Sequence, residues 1–172
     1  MKKIKYSFIM ISLLLILASC QSKRTQEPAI NISYNSKELK PIYFGDRNNK
    51  EKENIEETIK NIMVGKRFID LPTIDFGEKI EMEALNFDTN EFEIYDYIVD
   101  ENGNIVSEYN VVPFTITSVD DGKAEFIIED SEDLDSYRDY RVEGKSIHCL
   151  LFRSKINNSS FAFATLVLSN NK

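Results

Sequence analysis

Two apolar runs near the C-terminus decide the fold: residues 146–154 (SIHCLLFRS) and 160–169 (SFAFATLVLS). The short polar segment 155–159 (KINNS) separates them, which favours two strands joined as an antiparallel pair. Apolar residues at nearly every position are typical of strands that are buried on both faces. We therefore predict that both strands are central in a sheet and that the second one closes the fold.

The residues before these runs have the pattern of further strands. Turns are predicted at 100–104 and 120–122, because both contain the Asn, Asp and Gly residues that tolerate positive φ. Four segments flank these turns, with alternating polarity or with enrichment in β-branched and aromatic residues: 79–87 (KIEMEALNF), 92–100 (FEIYDYIVD), 111–119 (VVPFTITSV) and 123–129 (KAEFIIE).

The number of strands indicates the fold class. About seven strands in roughly 100 residues are typical of a sandwich, so we predict a mainly β protein with an immunoglobulin-like β-sandwich over 66–169. A small β-barrel is the alternative. The chain has no Trp and no cysteine in the early strands that could pair with Cys149, so the immunoglobulin sequence signature is missing and the topology is not assigned.

Residues 29–65 are predicted to form a strand-and-helix arm before the sandwich. Segments 29–35 (AINISYN) and 38–45 (ELKPIYFG) are candidate strands, and Pro41 confines the second to a sheet edge or an irregular stretch. Residues 50–64 have apolar side chains at helical spacing and are followed by Gly65, so they predict one short helix. Its narrow apolar stripe favours a position on a sheet surface.

The N-terminus has the layout of an export signal. Lys2, Lys3 and Lys5 precede a mainly apolar run that ends at Leu17, about half the length that a membrane-spanning helix needs. These three lysines are among the 21 basic residues, so the chain after residue 19 has 18 basic and 29 acidic residues, a formal net charge of −11. This excess of acid argues against nucleic acid as a partner.

The signal ends in Leu17-Ala18-Ser19-Cys20, which resembles the lipobox of bacterial lipoprotein precursors. The resemblance implies that residues 1–19 are a cleaved signal peptide and that the Cys20 sulfur carries diacylglycerol. Residues 20–28 are then the lipidated cysteine and a flexible polar tether. Two acyl chains hold a domain stably on a bilayer, so we expect a lipid anchor at the extracytoplasmic face of the cell membrane.

A second resemblance concerns the mature part of the chain. Segments 92–105 (FEIYDYIVDENGNI) and 137–152 (YRDYRVEGKSIHCLLF), with the apolar strand at the end, resemble uncharacterised all-β envelope lipoproteins of low-GC Gram-positive bacteria. They are also similar to extracytoplasmic domains attached to some membrane zinc peptidases. The peptidase motif of two histidines flanking a glutamate is absent, because the chain has one His. The resemblance implies an accessory or sensing domain.

No segment predicts catalysis, a metal site or a cofactor. His148 and Cys149 are adjacent in a predicted strand and point to opposite faces, so they cannot form a nucleophilic pair. We expect a buried thiol beside an imidazole that faces the surface. Acidic turns could hold calcium, but the loop that begins at Asp100 has Gly103 at its fourth position and does not match a calcium-binding loop. The acidic segment 130–140 (DSEDLDSYRDY) is predicted to be a long loop.

Tyr95 and Tyr97 are the binding candidates, because they share one face of a predicted strand. Tyrosine combines apolar area with a polar tip and could bind peptide or glycan, although the same spacing also suits core packing. We therefore expect a non-catalytic binding or sensing module, with an envelope protein or a glycan as partner. An alternative is an acidic inhibitor or immunity protein that acts on a cationic envelope enzyme.

Overall fold

The computed structural model describes residues 27–46, 51–63, 67, 70–89, 91–107, 114–117, 121–130, 132–156 and 159–170. The helices in this part are α1 (Glu51–Met63) and the 3₁₀ helix η1 (Glu132–Tyr140). The strands are β1 (Ala29–Tyr34), β2 (Lys37–Glu38), β3 (Ile42–Asp46), β4 (Thr73–Asp75), β5 (Lys79–Leu85), β6 (Glu91–Val99), β7 (Phe114–Thr117), β8 (Lys123–Ile127), β9 (Lys145–Ile156) and β10 (Ser159–Asn170).

These strands form two sheets. The small sheet has the order β2-β1-β5-β8, and the large sheet has the order β3-β10-β9-β6-β7. All pairs are antiparallel except β4, which pairs in parallel with the end of β10. The predicted β-sandwich is confirmed. The barrel alternative is wrong, because the described strands form two sheets that share no strand, and neither sheet closes on itself.

The two apolar runs form the centre of the large sheet, as predicted. Strands β9 and β10 pair from Ile156 and Ser159 to Lys145 and Asn170, and β9 also pairs with β6 on its other side. Both faces of β9 are covered, since consecutive residues from Ser146 to Phe152 are all buried. Continuous burial explains why this strand has an apolar run instead of alternation.

The main core lies between the two sheets. The face of the large sheet that points toward the small sheet is called the inner face here, and the opposite one the outer face. Phe126 of the small sheet meets Phe152 of the inner face edge to face, with ring centroids 5.5 Å apart. Other members of this core are Ile30, Ile32, Ile80, Met82, Phe92, Ile94, Leu150, Phe163 and Val167.

A second apolar cluster covers the outer face of the large sheet. Ile55 and Ile59 of α1 are fully buried there with Cys149 and Leu151 of β9. Gly103, with φ +83°, lies so close to α1 that a Cβ atom would be 3.2 Å from Cγ2 of Ile59. The helix therefore lies on a sheet surface, as its narrow apolar stripe predicted. Its expected stop at Gly65 lies outside the described residues.

The segment 29–65 takes part in both sheets. Strand β1 pairs with β5 of the small sheet along its whole length, and β3 pairs with β10 of the large sheet. The second candidate strand is split into β2 and β3, which are both edge strands, on either side of Lys40 and Pro41. This agrees with the edge position or irregular stretch that Pro41 predicted.

The acidic segment after β8 differs from its prediction. It was expected to be a loop, but residues 132–140 form η1, in which Leu134 is the buried side chain. The burial of Leu134 distinguishes this segment from a solvated loop, and the many acidic residues around it conceal that burial in the sequence. In the part of the chain that the structure describes, no helix has the length and apolar character needed to span a bilayer.

Candidate functional site

Tyr95 and Tyr97 lie on the outer face of the large sheet, on β6. Alternation along the strand places both rings on the same side, and both are half-buried beside the apolar cluster that α1 covers. The expected shared face is therefore present. The apolar bodies of the tyrosines pack against the second cluster, so core packing accounts for part of their role.

The two rings form a stack with Arg153 of β9. The centroids of Tyr95 and Tyr97 are 6.3 Å apart and the rings are nearly parallel, at 8°. The guanidinium carbon of Arg153 lies 4.7 Å from the centroid of Tyr95, a cation–π contact. Arg153 is paired across the strands with Glu93, so it approaches Tyr95 from the side away from Tyr97. We call Glu93, Tyr95, Tyr97 and Arg153 the tyrosine stack.

Hydrogen bonds hold the stack at its polar end. The Tyr95 hydroxyl donates to Oε2 of Glu93 at 3.3 Å and accepts from Nη1 of Arg153, also at 3.3 Å. The Tyr97 hydroxyl takes part in none of the hydrogen bonds that join the described residues. The guanidinium of Arg153 therefore lies over one face of Tyr95, and Tyr97 is stacked in parallel beside it.

Ionisation of the stack follows from burial. Burial raises the pKa of the Tyr95 hydroxyl, and the nearby charge of Glu93 raises it further. Burial likewise raises the pKa of Tyr97, with smaller contributions from Tyr95 and Cys149. Burial lowers the pKa of the Arg153 guanidinium from its very high ordinary value. At neutral pH both tyrosines are therefore hydroxyl donors.

The inner face of the same strands carries a line of polar side chains that we call the histidine line: Asp96, His148 and Ser169. The two carboxylate oxygens of Asp96 lie 2.9 and 2.8 Å from Nδ1 of His148. Nε2 of His148 lies 2.8 Å from Oγ of Ser169. His148 and Ser169 are fully buried, and the Asp96 side chain is 13% exposed.

The position of His148 corrects the expectation of a surface-facing imidazole. Alternation did place it opposite Cys149, but the inner face of β9 is covered by the small sheet and by the edge of Phe76. Both ring nitrogens have partners, so the buried imidazole is satisfied. The available signal was Asp96, because a carboxylate on the apolar strand face of Ile94 and Ile98 requires a buried partner.

The histidine line has the contacts of a Ser-His-Asp triad, in which the carboxylate holds one imidazole nitrogen and the other faces the serine hydroxyl. Catalysis also requires that a substrate carbonyl reach the serine oxygen. Ser169 is 0% exposed, so its Oγ has no open approach in this structure. The geometry instead ties together three neighbouring strands of the large sheet.

Cys149 is a buried thiol, as expected. It is fully buried on the outer face of β9, and burial raises its pKa strongly, with a smaller contribution from the negative charge of Asp96. A thiol that is both inaccessible and protonated is chemically inert. His148 and Cys149 therefore belong to opposite sides of the large sheet and do not act as a pair.

The turn at 100–104 uses its carboxylate internally. Burial alone raises the pKa of Asp100, but hydrogen bonds from Asn104 and Asn102 outweigh it and hold that pKa below its ordinary value. The Asp100 carboxylate accepts from the backbone N–H of Asn102 at 2.9 Å and of Asn104 at 2.8 Å. Within the described ranges, no three His, Cys, Asp or Glu side chains converge as metal ligands.

The acidic surface is not concentrated on the small sheet. On the face of the small sheet that points away from the large sheet, Lys79 pairs with Glu125 at 2.7 Å and Lys123 pairs with Glu83 at 3.5 Å. The charges on that face therefore largely cancel. The exposed acid is concentrated instead before and along η1: Glu129, Asp130, Glu132, Asp133, Asp135 and Asp139.

Cys20, the predicted lipidation site, lies outside the described residues. Comparisons of the chain with family models, with curated proteins and with solved structures gave no match. Candidate sites for this protein therefore come from its own residues: Cys20 from the sequence, and the tyrosine stack and the histidine line from the fold.

Proposed function

We propose that this chain is a lipid-anchored protein at the extracytoplasmic face of the bacterial cell membrane, where it acts without catalysis as a binding module for an envelope protein. The tyrosine stack is its contact surface. The observation that carries the binding part of the proposal is the parallel Tyr95–Tyr97 pair, held by Arg153 on a half-buried sheet face.

The anchoring part is supported by the sequence 17–20 and by the position of the other cysteine. Cys149 is fully buried, so Cys20 is the cysteine that can receive lipid without unfolding the domain. The polar residues before β1 would leave the sandwich a short distance from the bilayer. A protein confined to the membrane surface meets other membrane proteins at a raised effective concentration.

The choice of a protein ligand over a glycan follows from the geometry of the stack. A sugar ring binds an aromatic side chain mainly by lying flat against it, but the ring of Tyr95 has Arg153 over one face and Tyr97 stacked beside it. The ring edges and the Tyr97 hydroxyl suit the carbonyl oxygens and apolar side chains of a peptide. Tyrosine is enriched at protein interfaces for this reason.

A cross-linking pull-down tests the binding surface. The bait is the full chain in detergent, incubated with solubilised envelope extract and compared with a Tyr95→Phe and Tyr97→Phe double variant. These changes remove two hydroxyls and keep the packing, so we expect about tenfold weaker capture of a saturable protein partner. Tyr140→Phe is the control, because Tyr140 is 45% exposed and lies on η1.

Equal capture by the double variant would place the interface elsewhere on the domain. Enrichment of cell-wall fragments in place of a protein would transfer the proposal to a glycan ligand. The absence of catalysis is tested separately with a fluorophosphonate probe, for which we expect no labelling. Labelling that disappears in Ser169→Ala would mean that the buried serine becomes accessible and reacts.

Fractionation tests the anchor. Cys20→Ser removes the sulfur that receives the lipid, so we expect the protein to be released from the membrane or to remain unprocessed. Cys149→Ser is the matched control and is expected to keep both processing and membrane retention. If Cys20→Ser leaves both unchanged, the chain is not held by a lipid on Cys20.

An acidic inhibitor or immunity protein is the second candidate, and the exposed acid around η1 favours it. A cationic envelope enzyme would be attracted to this surface before contact, which raises the association rate. The same pull-down distinguishes the two proposals by salt. An inhibitor of this kind loses its association rate steeply as ionic strength rises, whereas binding at the tyrosine stack is less sensitive.

A further inference from the structure

The histidine line is attached to the strand segment that carries the tyrosine stack. Asp96 lies between Tyr95 and Tyr97 on β6, and its side chain points to the inner face while the rings point to the outer face. Its carboxylate is 2.8 Å from Nδ1 of His148. Whatever changes the bond between Asp96 and His148 therefore acts on the backbone between the two tyrosines.

His148 is the chain's one histidine. Histidine is the side chain that ordinarily changes charge between pH 5 and 8. Burial raises the pKa of Tyr95 and Tyr97, and it raises that of Cys149 as well, so these neighbours stay protonated in that range. Among the groups in contact with this part of β6, His148 is therefore the one whose side-chain type ordinarily changes charge in that range.

Proton uptake changes what each atom of the line does. In the neutral imidazole, Nδ1–H donates to Asp96 and Nε2 accepts the hydroxyl proton of Ser169. In the imidazolium both nitrogens donate, so the contact with Asp96 becomes an ion pair and the Ser169 hydroxyl has to turn its proton away. Charge-assisted bonds are stronger, so protonation strengthens the link between β6 and β9 at this point.

The surroundings limit which other groups can respond. Asp96 is the charged group in contact with the ring, Ser169 is the contact from β10, and the turn after β4 contributes the edge of Phe76, 5.9 Å from the ring centroid. Three other titratable or charged groups lie on the elements at this end of the sandwich: Asp75, Glu78 and Lys145. Asp75 ends β4 and is hydrogen-bonded to Tyr34 and Asn170. Glu78 is in the turn after β4, and Lys145 begins β9.

We infer that the histidine line is a proton-dependent positioning device for the tyrosine stack. Its purpose in binding rests on the proposed function, but the movement itself does not need a ligand. Asp96 and His148 are positioning residues, since they act through the strand and do not touch the outer surface. The tyrosine stack is held more firmly to β9 at acidic pH than at alkaline pH.

The test is NMR of the full chain in detergent, with ring-labelled tyrosine and histidine and no ligand present. Tyr95→Phe and Tyr97→Phe identify the two stack signals. We expect both signals to change with pH together with the His148 ring signals, while the signal of Tyr140 stays constant. Loss of this transition in His148→Gln assigns it to the imidazole.

Asp96→Asn separates a proton-dependent device from a merely structural contact. Asparagine keeps a polar partner at Nδ1 but removes the negative charge that pairs with the imidazolium, so the pH response of the stack signals should change. This variant also carries the test if His148→Gln does not fold. Stack signals that do not change with pH, or an unchanged pH response of these signals in Asp96→Asn, would overturn the inference.

The two proposals fail in different ways. Stack signals that follow the His148 titration, together with a pull-down that is unaffected by Tyr95→Phe and Tyr97→Phe, would retain the positioning device and remove the proposed contact surface. Tyrosine signals that do not change with pH, together with a captured partner, would reject the positioning device and keep the proposed contact surface.

Discussion

Truncation of Phe152 tests whether the two sheets pack as a sandwich. Phe152 is 0% exposed at the centre of β9 and meets Phe126 of the small sheet edge to face, at 5.5 Å and 68°. Phe152→Ala removes a complete buried ring, for which we expect a loss of about 3–5 kcal/mol in the free energy of unfolding. Domains are commonly stable by only about 5–15 kcal/mol, so the loss is a large fraction of the total.

Urea unfolding followed by circular dichroism measures this loss, with tyrosine fluorescence as a second probe because the chain has no Trp. The melting temperature should fall by about 10–20 °C. Tyr140→Ala is the control for truncating an aromatic ring, and it should change stability by no more than about 0.5 kcal/mol because Tyr140 is exposed.

A double-mutant cycle with Phe126→Ala isolates the contact between the sheets. The edge-to-face pair is expected to contribute about 0.5–1.5 kcal/mol beyond the burial of each ring, so the two losses should not add. A loss below about 1 kcal/mol for Phe152→Ala, or strict additivity in the cycle, would refute the packing of these two rings across the core.

Three further predictions concern the turn and the buried thiol. Gly103→Ala should destabilise the domain by about 1–3 kcal/mol, because φ is +83° and the new Cβ would lie 3.2 Å from Cγ2 of Ile59; a neutral result in thermal melting would mean that α1 does not approach this turn. Cys149 should resist thiol reagents in the native state, because the thiol is buried and burial raises its pKa, and it should become reactive after the protein is unfolded in urea. Rapid labelling of the native protein would contradict its burial. Asp100→Ala should lose stability most at neutral pH. Because the pKa of Asp100 is lower in the folded state than in the unfolded state, its carboxylate stabilises the fold at pH values above the ordinary pKa of Asp. This stabilisation disappears as pH falls through the folded-state pKa. Equal losses at pH 7 and pH 2 in urea titrations would argue against the turn hydrogen bonds as its source.

Local pattern was sufficient for much of the fold. The continuous apolar run 146–152 predicted a strand covered on both sides, and the narrow stripe of 50–64 predicted a helix on a sheet. Where the pattern failed, burial was supplied by distant residues. His148 was expected to face the surface, whereas its side chain is 0% exposed and the edge of Phe76 packs against its ring.

The sequence by itself determined most of the strands and which side chains share a strand face, because alternation is a property of neighbouring residues. It also carries the prediction of a lipid anchor at Cys20, which needs only four consecutive residues. The tertiary structure alone decided which faces meet. His148 reaches Asp96 and Ser169 across 52 and 21 positions of the chain, and Arg153 covers Tyr95 across 58. These contacts depend on strand order and register, which are set by packing between distant segments and leave no local pattern.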